Sequence, residues 1–213
     1  MKILELFAGS RSFSKVAEEL GHETFSVDIN DFDGIDYVTD ILDFDFSKIP
    51  FKPDVIWASP PCTYFSVASI GHHWNKDNTP KTKEAVIGCK IVNKTIEIIK
   101  HFNPDYFFIE NPRGKLRKLD FMQYFDRTTV TYCQYGDSRM KPTDIWTNYL
   151  FNPLLNEGGW KPKPICKNGE PCHVSAPRGS QTGTQGIKGN YERSKVPYQL
   201  CREIILSLKL SPL

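Results

Sequence analysis

Apolar residues along the chain fall in short blocks separated by glycines, prolines and acids. Residues 2–7 form an almost continuous apolar run of strand length, followed by a glycine turn and an amphipathic segment over about 11–20. Comparable runs at 23–27, 37–38, 54–58 and 105–109 predict four more strands, and 128–133 and 144–147 predict two further ones. Between them, 82–102 carries Ala85, Cys89, Val92, Ile96 and Ile99 at helical spacing. Strands alternating with helices predict an α/β fold, a doubly wound and mostly parallel sheet. Over 149–195 the periodicity disappears and Pro, Gly, Ser and Thr become abundant, in a stretch too long for an ordinary connection. Leu200, Ile204, Ile205 and Leu208 then mark a closing helix over 196–210. The expected organisation is an α/β domain over 1–148, an insertion over 149–195, and a helical segment over 196–213 that returns to the domain.

Length and charge narrow the class without naming a ligand. The 213 residues suit one domain with a modest insertion. A formal net charge of +2 does not mark a nucleic-acid partner, so the distribution of charge matters more than its total. Met1 and Lys2 lead directly into the first strand and no apolar run reaches membrane-spanning length, so neither a leader peptide nor a membrane segment is expected. Six cysteines without framework spacing are expected to be reduced thiols of a cytoplasmic protein.

In a doubly wound sheet, ligands bind beyond the carboxyl ends of the strands. Those ends carry Glu5-Leu6-Phe7-Ala8-Gly9-Ser10, Asp28, Asp40-Ile41, Ser59-Pro60-Pro61-Cys62 and Glu110-Asn111-Pro112. Gly9 permits close approach of a ligand and Asp28 is placed to accept hydrogen bonds from ribose hydroxyls. The triple-glycine spacing that cradles phosphates is absent, which favours a nucleoside cofactor without phosphate over a dinucleotide. The Gly9–Asp28 pair alone is equally compatible with a structural role. Two prolines hold an extended approach to Cys62 and present its thiol. Taken alone, a free cysteine is more often a small buried apolar residue. As a nucleophile it needs a proton-managing partner, for which Glu110 is the candidate.

In order along the chain, these segments resemble the DNA (cytosine-5) methyltransferases. Glu5-Leu6-Phe7-Ala8-Gly9-Ser10 is similar to the cofactor motif D-L-F-A-G-x-G, and Ser59-Pro60-Pro61-Cys62-Thr63-Tyr64-Phe65-Ser66 to the catalytic loop P-P-C-Q-x-F-S. Glu110-Asn111-Pro112 resembles the E-N-V element. Tyr135-Gly136-Asp137-Ser138-Arg139-Met140-Lys141 resembles Y-G-x-x-Q-x-R-x-R less closely, and Arg193-Ser194-Lys195-Val196-Pro197 stands where the family has G-N-A-V-P. The resemblance implies a Rossmann-like S-adenosyl-L-methionine-dependent fold and methylation of cytosine carbon 5 in duplex DNA. It also implies roles: Cys62 as the nucleophile toward a flipped-out base, Glu110 on the base, and Arg139 holding the base or its adduct. Phe7, Ala8, Gly9 and Ser10 would line the methionine and adenosine, Asp28 with Ile29 the ribose, Asp40 with Ile41 the adenine, and Pro60 and Asn111 would lie nearby. The loop over 63–79, with Tyr64, His72, His73 and Trp74, is expected to close over the base. Rival readings are another pyrimidine substrate (RNA or a free nucleotide) and a non-catalytic DNA-binding relative.

Family members are usually longer, with a larger target-recognition region than 149–195. The compact size resembles solitary methylases of phages or mobile elements, the setting of restriction-modification, and a monomer is expected. Lys161, Lys163, Lys167, Arg178, Lys188, Arg193 and Lys195 make the region basic, and Arg178-Gly179-Ser180, Thr182-Gly183-Thr184 and Gly186 offer donors to phosphates. Arg113, Lys115, Arg117 and Lys118 form a second basic cluster next to Glu110. Cys166, Cys172 and His173 raise a metal question. Their spacing is no standard zinc signature, adjacent Cys-His pairs rarely ligate one ion, and Cys133 is a conceivable fourth ligand. No metal is assigned.

Overall fold

The computed structural model describes residues 1–152, 154, 158–167, 169–174, 187 and 189–208. Seven strands form one sheet: β1 (Lys2–Leu6), β2 (Glu23–Asp28), β3 (Tyr37–Val38), β4 (Val55–Ala58), β5 (Tyr106–Pro112), β6 (Arg127–Thr131) and β7 (Pro142–Thr147). Their order is β3-β2-β1-β4-β5-β7-β6, with β7 antiparallel to both neighbours and every other pairing parallel. The sequence-predicted mostly parallel sheet is present. The chain winds outward from β1 through β2 and β3, then returns beside β1 as β4 and winds the other way. That reversal falls between the carboxyl ends of β1 and β4, the place where ligands collect in such sheets.

Alternation along the central strands divides their side chains between two apolar layers. Leu4, Leu6, Ile56, Ala58, Phe107 and Ile109 face one side, against the long helix α3 (Lys83–Phe102); α2 is the short helix Ile70–His73. Ile3, Val55, Trp57 and Phe108 face the other, against α1 (Ser12–Glu19) and α5 (Tyr198–Ser207); α4 is Asn190–Ser194. Because both faces are covered, β1, β4 and β5 read as continuous apolar runs rather than alternating ones. α3 begins at Thr82, whose hydroxyl caps Ala85 N–H, and ends at Asn103 in a left-handed conformation.

Several boundaries differ from the sequence reading. β6 stops at Thr131, because Tyr132–Tyr135 tightens into a 3-10 turn closed by Gly136 at φ +86°. The closing helix starts at Tyr198, after Pro197, and the short α4 precedes it. The segment after β7 is tied in by Trp160, whose indole is buried against Phe108 and donates to Glu203 at 3.0 Å. Among the described residues, no helix is long and apolar enough to cross a membrane. Lys188, Arg178-Gly179-Ser180, Thr182-Gly183-Thr184 and Gly186 lie outside the described residues.

Candidate active site

The turn after β1 is held by a buried carboxylate that the sequence reading left without a role. Glu5 accepts Phe13 N–H at 3.2 Å and Ser14 N–H at 2.7 Å, so an acid on the strand satisfies the first turn of α1. Burial pushes the Glu5 carboxyl up, and these donors pull in the opposite direction. Phe7, Gly9 and Arg11 all adopt positive φ. Arg11 stands at the second glycine of the motif, and its φ of +54° explains why glycine is usual there.

This turn is joined to Asp28 at the end of β2. Gly9 N–H donates to Asp28 at 2.9 Å, and the other carboxylate oxygen of Asp28 accepts Asn30 N–H at 2.8 Å. A carboxylate has about four lone-pair sites, so Asp28 keeps acceptor capacity for hydroxyl groups. Ile29, the next residue, exposes 62% of its surface, and Ala8 and Ser10 are buried. Asp40 caps the turn Ile41–Asp43 through Leu42 N–H, with Ile41 buried behind it. Asn111 donates to the Pro60 carbonyl at 2.8 Å, joining the ends of β5 and β4, and its own side-chain oxygen is buried without a partner among the described residues. An acid, an exposed apolar side chain and an orphaned acceptor at one sheet edge fit a nucleoside-type cofactor with hydroxyl and amino groups.

Cys62 begins a tight turn. Its carbonyl accepts Phe65 N–H at 3.0 Å and Ser66 N–H at 2.9 Å, and Phe65 is fully buried beside Trp74. The next wall is just as close: a Cβ on Gly114 would meet the Phe65 carbonyl oxygen at 2.2 Å. Cys62 itself is half-buried rather than fully presented. Burial pushes its thiol up, the Lys141 cation pulls it down, and the Glu110 anion raises it further.

Glu110, buried to 4% exposure, accepts a hydrogen bond from Tyr132 Oη at 2.7 Å and lies 3.9 Å from Lys141 Nζ. Burial, followed by the Glu110 charge, pushes the Tyr132 phenol well above its ordinary value, so it stays a donor. Neither Tyr132 nor Lys141 was singled out from the sequence. Arg139, named from the resemblance, has a different environment. Its guanidinium is spread over Asp137, with Nε contacts of 2.9 and 3.0 Å, and reaches the Arg193 and Lys195 carbonyls at 3.2 and 3.4 Å. It thus clasps the terminal element 193–197, whose Val196 N–H in turn meets Ser12 Oγ at 3.2 Å. In the less closely matching Y-G-D-S-R-M-K element, Arg139 occupies the glutamine position and Lys141 the first arginine. That offset is the signal that could have pointed to Lys141.

Two expectations about the surroundings are corrected. In the 63–79 loop, Trp74 is buried with Nε1 on the Tyr64 carbonyl at 2.7 Å, and His73 Nδ1 meets Thr82 Oγ1 at 2.8 Å. These two side chains anchor the loop instead of covering a base. In the 113–118 cluster, Lys115 is buried and bonds Asn78 Oδ1 at 2.8 Å, while Arg117 pairs with the fully buried Asp144. Burial lowers the Lys115 ammonium. Only Arg113 and Lys118 of that cluster are exposed, so its other two cations are internal ties.

The family model for C-5 cytosine-specific DNA methylases matches residues 1–132. A frog virus 3 (isolate Goorha) protein described as a probable DNA (cytosine-5)-methyltransferase is 32% identical over 98% of this chain and 98% of its own. Among solved structures, that of a protein encoded within an E. coli prophage matches 79% of this chain at TM-score 0.52 and 16% identity. A mutant of Spodoptera frugiperda DNMT2 matches 82% at TM-score 0.50 and 20% identity. The chain spans 52% and 57% of the length of those two structures, which share its fold. With its sheet order, its strand-end residues and a family match over more than half its length, this chain belongs to the C-5 cytosine-specific DNA methylase family.

Proposed function

We propose that this protein methylates carbon 5 of cytosine in DNA, with Cys62 as a covalent nucleophile and Glu110 as the residue that manages charge on the base. The observation that carries this reading is the cluster at the ends of β4 and β5. A half-buried thiol stands just beyond β4, and a buried carboxylate held by Tyr132 and Lys141 stands near the end of the neighbouring β5. The Cys62 thiolate adds to carbon 6 of the flipped-out ring, and the carbon 5–carbon 6 double bond yields its electrons to carbon 5. Glu110 hydrogen-bonds the ring at nitrogen 3 as negative charge develops and manages the proton exchanged there. Carbon 5 would use that electron pair to bond the methyl group as the methyl–sulfur bond breaks and the sulfonium leaves as a neutral thioether. The carbon 5 proton then passes to solvent, the carbon 6–sulfur bond breaks, and the 5,6 double bond and the free Cys62 thiolate are restored. Lys141, on the Glu110 side of the cluster, favours the thiolate. Tyr132 is a positioning residue that fixes the carboxylate.

S-adenosyl-L-methionine supplies an electrophilic methyl group when bound. Phe7–Ser10, Asp28, Ile29, Asp40, Ile41, Pro60 and Asn111 are the residues that would hold it, with Asp28 as acceptor for the ribose hydroxyls. We read 149–195 as a short target-recognition region, of the size expected of a compact phage-like or orphan enzyme, and the protein as a monomer on duplex DNA. The exposed Arg113, Lys118, Lys161 and Lys167 are candidates for phosphate contacts.

The test is transfer of tritiated methyl from S-adenosyl-L-methionine to unmethylated duplex DNA by the wild type and by Cys62→Ala. Label recovered as 5-methylcytosine, and lost by at least about a thousandfold in Cys62→Ala, is the expected result. Label that persists in Cys62→Ala moves the chemistry to an exocyclic amine and overturns the covalent mechanism. Label in RNA but not in DNA would move the substrate class.

A further inference from the structure

Four side chains from two distant parts of the chain, none of them assigned a part in the methylation chemistry, converge at the turn after β6. Cys133 lies in the 3-10 turn after β6, and Cys166, Cys172 and His173 lie in the segment after β7. Their ligand atoms all lie within 4.8 Å of one another. Cys166 Sγ is 3.2 Å from Cys172 Sγ and 3.5 Å from His173 Nδ1, and Cys172 Sγ is 3.6 Å from His173 Nδ1. We propose that these four residues form a structural zinc site of the three-cysteine, one-histidine type.

The geometry suits the ion. Zn–S bonds of about 2.3 Å and Zn–N bonds of about 2.0–2.1 Å give tetrahedral edges of about 3.8 Å between sulfurs and about 3.5 Å from sulfur to nitrogen. Both sulfur–nitrogen separations already have this length, and the Cys166–Cys172 pair needs to open by about half an ångström. The same pair is far beyond the about 2.05 Å of a disulfide. Adjacent Cys172 and His173 can share one ion because the ring presents Nδ1, the nitrogen nearer its own backbone. His173 Nε2 is enclosed without a hydrogen-bond partner among the described residues, so no described contact through that atom explains the ring's orientation. Gln134 Nε2 lies 3.6 Å from Cys172 Sγ, placed to donate to a thiolate as an outer contact would. Four protein ligands leave no open position, which makes the site structural rather than catalytic.

The surroundings explain what such an ion would do. Over residues 161–174 the described chain has neither helix nor strand, and Ile165 and Val174 are more than half exposed. Backbone bonds lay this segment on the turn after β6: Cys166 N–H on Thr131 Oγ1 at 2.9 Å, Lys163 N–H on Tyr135 Oη at 2.9 Å, and Val174 N–H on the Ser138 carbonyl at 3.0 Å. A segment that buries so little apolar surface gains its fixed position from metal ligation. Zinc would lock it to the turn that leads into Arg139 and Lys141.

The proposal is independent of the methylation chemistry and is tested by metal content. The full chain is purified untagged under reducing conditions, its zinc is measured by plasma mass spectrometry, and Co(II) is titrated into metal-stripped protein. About one zinc per chain is expected, together with a thiolate-to-cobalt charge-transfer band and intense visible bands of tetrahedral cobalt. Cys133→Ser, far from the other ligands in sequence, should weaken cobalt binding by more than about a hundredfold, and so should the exposed Cys172→Ser, which keeps the test open if Cys133→Ser misfolds. Wild-type protein with no zinc and no cobalt charge-transfer band overturns the site, as does a Cys166–Cys172 disulfide persisting under reductant. Cobalt spectra unchanged in both variants overturn it too.

Discussion

At the carboxyl edge of the sheet, Cys62, Glu110 and Asn111 stand at the ends of strands whose residues are covered on both faces. In the segment after β7, Cys166, Cys172 and His173 stand on backbone with neither helix nor strand. Both regions hold polar groups within a few ångströms of one another, by different means. At the edge, apolar burial fixes the backbone first, and polar groups are then fixed by a few short bonds such as Tyr132 to Glu110 and Asn111 to Pro60. In the segment, Trp160 and Cys166 are buried, while the remaining order comes from polar cross-links to Thr131, Tyr135 and Ser138. The first region should therefore fail when packing is disturbed, and the second when its ligands are removed.

Substitutions that separate chemistry from packing at the edge should have the largest effects. Glu110→Gln preserves shape and the Tyr132 bond but removes the proton-managing group. We expect turnover to fall by about a hundredfold to ten-thousandfold with an unchanged melting temperature. A fall under tenfold would remove Glu110 from the mechanism. Phe65→Ala empties a fully buried site beneath the Cys62 turn, and urea unfolding should report a loss of about 3–5 kcal/mol. Gly114→Ala forces a Cβ against the Phe65 carbonyl, for an expected loss of about 1–3 kcal/mol and lower activity through a displaced Cys62 turn.

A subtler effect concerns charge. Burial holds the Cys62 thiol above its ordinary value and Lys141 opposes this, so the neutral thiol dominates near pH 7 and reactivity should rise as pH increases. Lys141→Met removes a cation and should move the midpoint of iodoacetamide alkylation at Cys62 to higher pH. Glu110→Gln removes an anion and should move it to lower pH. Shifts of the same sign in both variants would refute the electrostatic reading. Smallest of all should be Ile165→Ser in the exposed segment, within about 0.5 kcal/mol of wild type by thermal unfolding.

The contrast also explains what was legible in the sequence. Strands buried on both faces leave continuous apolar runs, so β1, β4 and β5 and the residues at their ends could be placed directly. α3 was equally plain because its apolar stripe, its Thr82 cap and its exit at Asn103 agree. Glu5 was hidden because its partners are backbone N–H groups eight and nine residues ahead, which no side-chain pattern announces. Lys141 was hidden because the turn through Gly136 decides which cation of the 139–141 stretch meets Glu110. The burial of Lys115 and Trp74 could not be read from residue type, since a lysine or a loop tryptophan is ordinarily at least partly exposed. The fourth member of the cysteine cluster lies 33 residues before Cys166, so the sequence could offer Cys133 only as a conceivable ligand, and the fold brings it alongside.

The most direct measurement of the central claim, covalent attack by Cys62 on cytosine, is a trap with duplex DNA containing 5-fluorocytosine, incubated with protein and S-adenosyl-L-methionine. Fluorine at carbon 5 cannot leave as a proton does, so the adduct should persist through denaturation, and peptide mass spectrometry should place the nucleotide on Cys62. No adduct from a preparation that methylates ordinary cytosine in the same duplex, or an adduct on any other residue, would contradict it.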